Sequence, residues 1–217
     1  MLNKSKGNMY LWVSHTWNVI KGKCPHDCSY CYMKRYPQAE LHFDEKELKT
    51  NLGSGNTIFV GSSCDMWADK VMSHVVKRIL EYCASYRNSY VFQSKNPQRF
   101  CEFVPHFPFN TMLGTTIETN RLYGREGGQP IGERVRAFQY LKLPRFVSIE
   151  PIMDFDLDVM VGWTREINPE FISIGANSRP EIKLPEPSGD KVRTLIEGLK
   201  EFTEVKIKDN LKRLFKA

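Results

Sequence analysis

One unit recurs along this chain and narrows the folds open to it. An apolar or β-branched run ends in small, hydroxylated or charged residues, and a stretch with helical spacing follows. The candidate strands are Tyr10–Thr16, Thr57–Gly61, Ser89–Gln93, Thr111–Ile117, Arg145–Ile149 and Glu170–Ile174. Several are continuously apolar, as strands covered on both faces are. Helical spacing appears at about Asp44–Leu52, Asp69–Tyr86, Pro97–Phe103, Gly132–Leu141 and Leu157–Ile167. In the second of these, Val71, Val75, Ile79 and Tyr82 form one face. Asn96-Pro97 offers a capping residue and a first-turn proline. Strands alternating with helices imply right-handed crossovers and a parallel sheet, open or curved into a partial barrel.

In either architecture the functional face lies at the C-terminal strand ends. Those ends read Gly61-Ser62-Ser63-Cys64-Asp65, Gln93-Ser94-Lys95, Thr115-Thr116-Ile117-Glu118, Ser148-Ile149-Glu150-Pro151 and Gly175-Ala176-Asn177-Ser178. A single polar end is an ordinary turn, but five at one rim predict a polar cavity.

Between the first and second candidate strands lies Cys24-Pro-His-Asp-Cys28-Ser-Tyr-Cys31-Tyr32. Three thiolates this close can hold three irons of a cubic [4Fe–4S] cluster and leave the fourth iron free of protein. His26 inside the loop offers a competing tetrahedral Cys3His zinc site. Electron-transfer clusters normally take four cysteines. The others, Cys64, Cys83 and Cys101, are scattered: Cys83 and Cys101 fall in helical stretches as packing residues, and Cys64 sits on the second strand-end loop.

The chain has 217 residues, 41% apolar and 26% charged, enough for one domain with a full core. No apolar run is long enough to span a bilayer, and no signal-peptide h-region follows the basic N-terminus. Three cysteines within eight positions fit a reducing compartment, so a cytoplasmic location is expected. Net charge is +6, with Lys206, Lys208, Lys212, Arg213 and Lys216 concentrated in the tail. This suits a solvated basic helix, a phosphate-rich ligand or an acidic electron donor.

The Cys24-x3-Cys28-x2-Cys31 spacing with Tyr30 in an aromatic slot, after the first strand of a six-fold β/α series, resembles the radical S-adenosylmethionine (SAM) superfamily. The order of segments is more closely similar to a family of small phage- and prophage-borne radical SAM proteins of unassigned substrate. The matching segments are Thr16-Trp17-Asn18, Phe59-Val60-Gly61 with Asp65, Gln93–Pro97, Gly114–Glu118, Arg145–Pro151 and Ile172–Asn177. The likeness runs from about Tyr10 to Pro180, with a more distant one to spore photoproduct lyase. It departs after the second strand, where many members carry two glycines and an acid and this chain has Gly61-Ser62-Ser63.

The resemblance implies a single-domain α/β fold, a partial (β/α)6 TIM-like barrel over residues 1–187 with a helical tail at 188–217. It implies a [4Fe–4S] cluster on Cys24, Cys28 and Cys31, SAM on the open iron, and a one-electron reductant such as flavodoxin or ferredoxin. Reductive cleavage of SAM would give a 5′-deoxyadenosyl radical that abstracts hydrogen from a substrate, nucleic acid or nucleotide being one class. Tyr30 would shape the adenine pocket. Gly61, Ser62, Ser63, Lys95, Thr116 and Glu118 are candidates for the methionine and ribose ends, with Lys95 matched to the carboxylate by charge. Glu150 is a candidate ribose or substrate contact. Tyr32, Trp17 and Trp67 are aromatics near the rim. The competing class is a cysteine-loop metal-binding module, zinc or iron–sulfur, that acts without turnover.

Overall fold

The computed structural model describes residues 1–216. In chain order the strands and helices are β1 (Asn3–Lys4), β2 (His15–Trp17), β3 (Ile20–Lys21), β4 (His42–Phe43), β5 (Thr57–Val60), α1 (Ser73–Ala84), β6 (Ser89–Ser94), β7 (Thr111–Thr116), α2 (Ile131–Tyr140), β8 (Arg145–Ile149), α3 (Leu157–Ile167), β9 (Phe171–Ile174), α4 (Gly189–Lys200) and β10 (Glu204–Ile207). One eight-stranded sheet has the order β1-β2-β5-β6-β7-β8-β9-β10, and β3 and β4 form a separate ribbon. From β2 through β10 that sheet is parallel, and β1 pairs antiparallel with β2.

Each parallel strand lies beside its predecessor in the sheet. Crossovers of one hand then place every helix on the same face, and the sheet winds singly, as in a partial barrel. The helix-side core includes Val76, Ile79 and Cys83 of α1, Phe138 of α2, Met160 of α3 and Leu195 of α4. β9 is buried at every residue, as a strand covered on both faces must be.

The other face has its own cover. Tyr10 and Val13 pack on Phe59, Val91, Phe146 and Phe171, with Met9 and Trp12 alongside. Trp12 meets Phe146 and Phe171 edge-on, at 5.4 and 5.2 Å between ring centres. Such aromatic pairs add about 0.5–1.5 kcal/mol each beyond burial. This packing explains why the expected strand Tyr10–Thr16 shrinks to His15–Trp17. Residues 10–13 turn back, the Val13 amide donating to the Tyr10 carbonyl at 3.0 Å, and cover the sheet instead of joining it.

Other boundaries moved for local reasons. The expected helices at Asp44–Leu52 and Pro97–Phe103 are 3-10 segments, Glu45–Lys49 and Pro97–His106. Asn96 does not cap; its amide donates to the Trp67 carbonyl and to Asp69, at 3.1 and 2.7 Å. Val71 precedes α1, while Val75 and Ile79 supply its buried face. Cys83 is buried, but Cys101 is exposed and not a packing residue. Residues from 188 onward contribute α4, a seventh parallel strand and a 3-10 segment Asp209–Phe215; residue 217 lies outside the described residues. Among the described residues no helix is long and apolar enough to cross a membrane.

Candidate functional site

The C-terminal ends of the parallel strands surround a cavity of about 620 Å³, within the usual range for small-molecule sites. Cys24, Cys28 and Cys31 line it together with Tyr30, Tyr32, Gly61, Ser62, Ser63, Lys95, Thr116 and Glu150. Eleven of the twelve candidates thus meet in one space; Glu118 is absent from its lining. The cysteine loop occupies the place of a helix between β2 and β5, which puts it directly over the strand ends.

The loop is fixed at several points. Asp27 adopts a positive φ of 46°, and its amide donates to the Cys24 carbonyl at 3.2 Å. His26 bonds Asp65 at 2.7 Å through Nε2. Asp65 is itself held by the Ser94 hydroxyl and the Lys95 amide, at 2.8 and 3.0 Å. Burial alone would raise the Asp65 carboxyl, but the bond from His26 outweighs it and the pKa falls below the usual carboxylate range. Burial disfavours the His26 cation too, yet the Asp65 partner wins and raises its pKa. The bond fixes the orientation of the His26 ring through Nε2.

The thiols differ. A hydrogen bond with Cys64 pulls Cys24 down to about 6, and the same contact raises Cys64. Burial raises Cys28 and Cys31. Among the described residues no three His, Cys, Asp or Glu side chains converge tightly enough for a single metal ion. Three soft donors spread around one end of a cavity suit a polynuclear iron–sulfur group better than one tetrahedral ion, whose ligands must all lie within about 2.3 Å of it.

Glu118, expected at the cofactor, lies behind the cavity wall and is fully enclosed. One carboxylate oxygen accepts from the Tyr30 hydroxyl and the Lys95 ammonium, and the other from Arg134 at 3.0 Å. Burial would raise its pKa; the charges of Lys95 and Arg134 instead bring it to about 2. Lys95 reaches the cavity with its ammonium already paired, 4.6 Å above the Tyr30 ring. Ser62 and Ser63 sit at the turn made by Gly61, whose φ is 82°. Asn18 accepts the Ser62 hydroxyl and the Ser63 amide, at 3.2 and 3.0 Å. Tyr32 is exposed at the mouth and donates to the Ser62 carbonyl at 3.0 Å. Trp17 and Trp67 are fully buried packing residues and cannot stack a ligand.

Further in, the Tyr10 hydroxyl bridges Gln93 and Ser148, at 2.8 and 2.9 Å, and Gln93 donates to Thr116 at 3.0 Å. Glu150 accepts from Asn8, Lys208 and Asn210, at 2.7, 2.8 and 3.1 Å, joining the N-terminal segment to the C-terminal one. The tail cations are largely occupied: Lys208 by Glu150, Lys212 by Asp209, Arg213 by Glu186, and Lys206 by the Phe171 ring at 3.8 Å. Sequence reading missed Tyr10, Asn8, Asn18 and Arg134 as site-building residues, since none carries a local signal. Asp65 had one, its place in the polar end of β5.

No protein-family model matches the chain, and no curated protein matches it. Solved structures of spore photoproduct lyase do resemble it. A cysteine mutant of that enzyme superposes over 93% of this chain and 78% of its own, at TM-score 0.67 and 10% identity. A cysteine mutant with dinucleoside spore photoproduct matches at TM-score 0.62 and 10% identity, covering 90% of this chain. A double mutant with bound AdoMet and the same dinucleoside matches at TM-score 0.58 and 11% identity, again over 90% of this chain. The chain spans 63% of the second structure and 64% of the third. At such identities the likeness establishes a shared fold: this chain is built like spore photoproduct lyase over most of its length.

Proposed function

We propose that the protein is a radical SAM enzyme. The observation that carries this reading is the placement of Cys24, Cys28 and Cys31 together on the lining of the strand-end cavity. The resemblance of the cysteine loop to the radical SAM motif and the shared fold with an enzyme solved with AdoMet support it. A [4Fe–4S] cluster and SAM bound there would supply one-electron cleavage of the sulfonium and a hydrogen-abstracting radical.

The chain's own residues would place and shield those groups. The three thiols hold the metal. Tyr30, pinned by Glu118 and Lys95, forms a rigid wall, and burial keeps its phenol protonated well above the ordinary range. Lys95 offers its charge to the SAM carboxylate from the same wall. Ser62, Ser63 and Gly61 line the edge nearest the cysteine loop, and Thr116 and Gln93 extend a hydrogen-bonding floor. Tyr10, Phe59 and the covering N-terminal segment exclude water from the inner end.

The substrate we propose is a nucleic acid or nucleotide, acted on inside a cell with electrons from a flavodoxin or ferredoxin. The dinucleoside in the lyase structure supports this, as do Lys6, Arg35, Tyr32 and Tyr36 at the mouth. The likeness to phage-borne members and the division at residue 187 belong to the same proposal. The test is anaerobic reconstitution with iron and sulfide, then reduction in the presence of SAM. About one [4Fe–4S] per chain and slow release of 5′-deoxyadenosine and methionine are expected. Tetrahedral zinc without iron–sulfur absorbance would instead support a non-catalytic metal-binding module.

A further inference from the structure

Arg134 of α2 is a buried arginine, 1% exposed, that is not itself part of the cavity lining, and its donors reach one loop, the end of β7 and Glu118. Its Nε donates to the Gln129 carbonyl at 2.6 Å, and Nη2 to the Gly127 carbonyl at 2.6 Å. Its Nη1 donates to the Thr116 carbonyl and to Glu118, both at 3.0 Å. Burying a guanidinium is costly unless it is fully paired, so this geometry is tightly specified.

The loop so held, residues 125–129, lies against the cysteine loop. The Arg125 carbonyl accepts both the amide and the hydroxyl of Ser29, at 3.2 and 3.1 Å. Gly127 has a φ of 36°, and a Cβ there would overlap the His26 carbonyl. A Cβ on Gly128 would lie 2.6 Å from the Lys95 Cβ. The Gln129 amide donates to the Lys95 carbonyl at 3.0 Å. His26 and Ser29 flank Cys28, whose thiol is buried.

We propose that Arg134 is the positioning residue of the cysteine loop, acting through residues 125–129. It fixes where the three thiols face the cavity without touching metal or cofactor. The proposal deepens the radical SAM reading, and rests on it only for the metal-loaded arm of the test.

The first arm uses the metal-free chain, kept reduced under argon, and reads iodoacetamide labelling of each cysteine by mass spectrometry. Cys83, fully buried in α1, reports global opening. In Arg134→Lys, which loses the fork of donors, Cys28 should label about tenfold faster while Cys83 stays protected; that is the factor expected from one lost hydrogen bond to a charged group. Gly127→Ala approaches the same loop from its other side and should do the same, and it alone decides if Arg134→Lys does not fold. A Cys28 rate unchanged in the folded variant, or one matched by Cys83, overturns the proposal. In the second arm the reconstituted variant should lose iron to a chelator about tenfold faster than the parent, the usual scale for a group supporting metal ligands. Equal rates of loss overturn the proposal. A parent chain that takes up no cluster refutes the radical SAM reading instead, and the labelling arm still decides the role of Arg134.

Discussion

Replacing Glu118 by Gln tests the buried network beneath the cysteine loop. The substitution keeps the shape and removes the charge that pairs Lys95 and Arg134, whose side chains are 14% and 1% exposed. Leaving buried cations without their anion costs about 3–5 kcal/mol. Linkage gives an independent figure. The carboxyl titrates at about 2 in the fold against 4.5 for a free glutamate. At about 1.36 kcal/mol per unit, that difference stabilises the fold by about 3 kcal/mol at neutral pH. Because the folded value is depressed, the contribution is complete above 4.5 and is lost as pH falls toward 2. Urea unfolding of the metal-free parent and Glu118→Gln should therefore differ by about 3 kcal/mol near pH 7 and by about 1 kcal/mol near pH 3. A difference below about 1 kcal/mol at neutral pH, or one that stays constant with pH, refutes the assignment of Glu118 as the anion of this network.

Three further outcomes follow from the same geometry. Cys24→Ala, Cys28→Ala or Cys31→Ala should each abolish iron–sulfur absorbance after reconstitution, whereas Cys101→Ala, at an exposed site remote from the loop, should leave it intact. Lys95→Ala should weaken SAM binding, measured by calorimetry on the reconstituted protein, by more than it lowers cluster content; unchanged affinity would confine Lys95 to its pairing with Glu118. Glu150→Ala removes three hydrogen bonds between the chain's two terminal segments and should cost about 1.5–3 kcal/mol, with faster proteolysis near Asn8 as the local readout.

What the sequence determines by itself is local or periodic. Runs rich in apolar or β-branched residues and ending in polar ones mark β5 to β9, because a strand covered on both faces has no wholly polar side to alternate with. The spacing of Cys24, Cys28 and Cys31 marks a metal-binding loop, since ligands this close in sequence must lie close in space. The polar strand ends announce the cavity, because parallel strands joined by crossovers bring all their C-terminal ends to one rim.

Tertiary structure decided the rest. Tyr10–Val13 has the composition of a strand, and only the apolar sheet face made by Phe59, Val91, Phe146 and Phe171 draws it out of the ladder. Glu118 sits at a strand end like its neighbours, yet Tyr30, Lys95 and Arg134, from three distant parts of the chain, enclose it. His26 lies between two cysteines, and the partner that orients its ring, Asp65, is 39 residues away. The basic tail reads as a free patch until folding brings Glu150, Glu186 and Phe171 against it. In each case the partner is remote in sequence, and a side chain's role is set by what folding packs beside it.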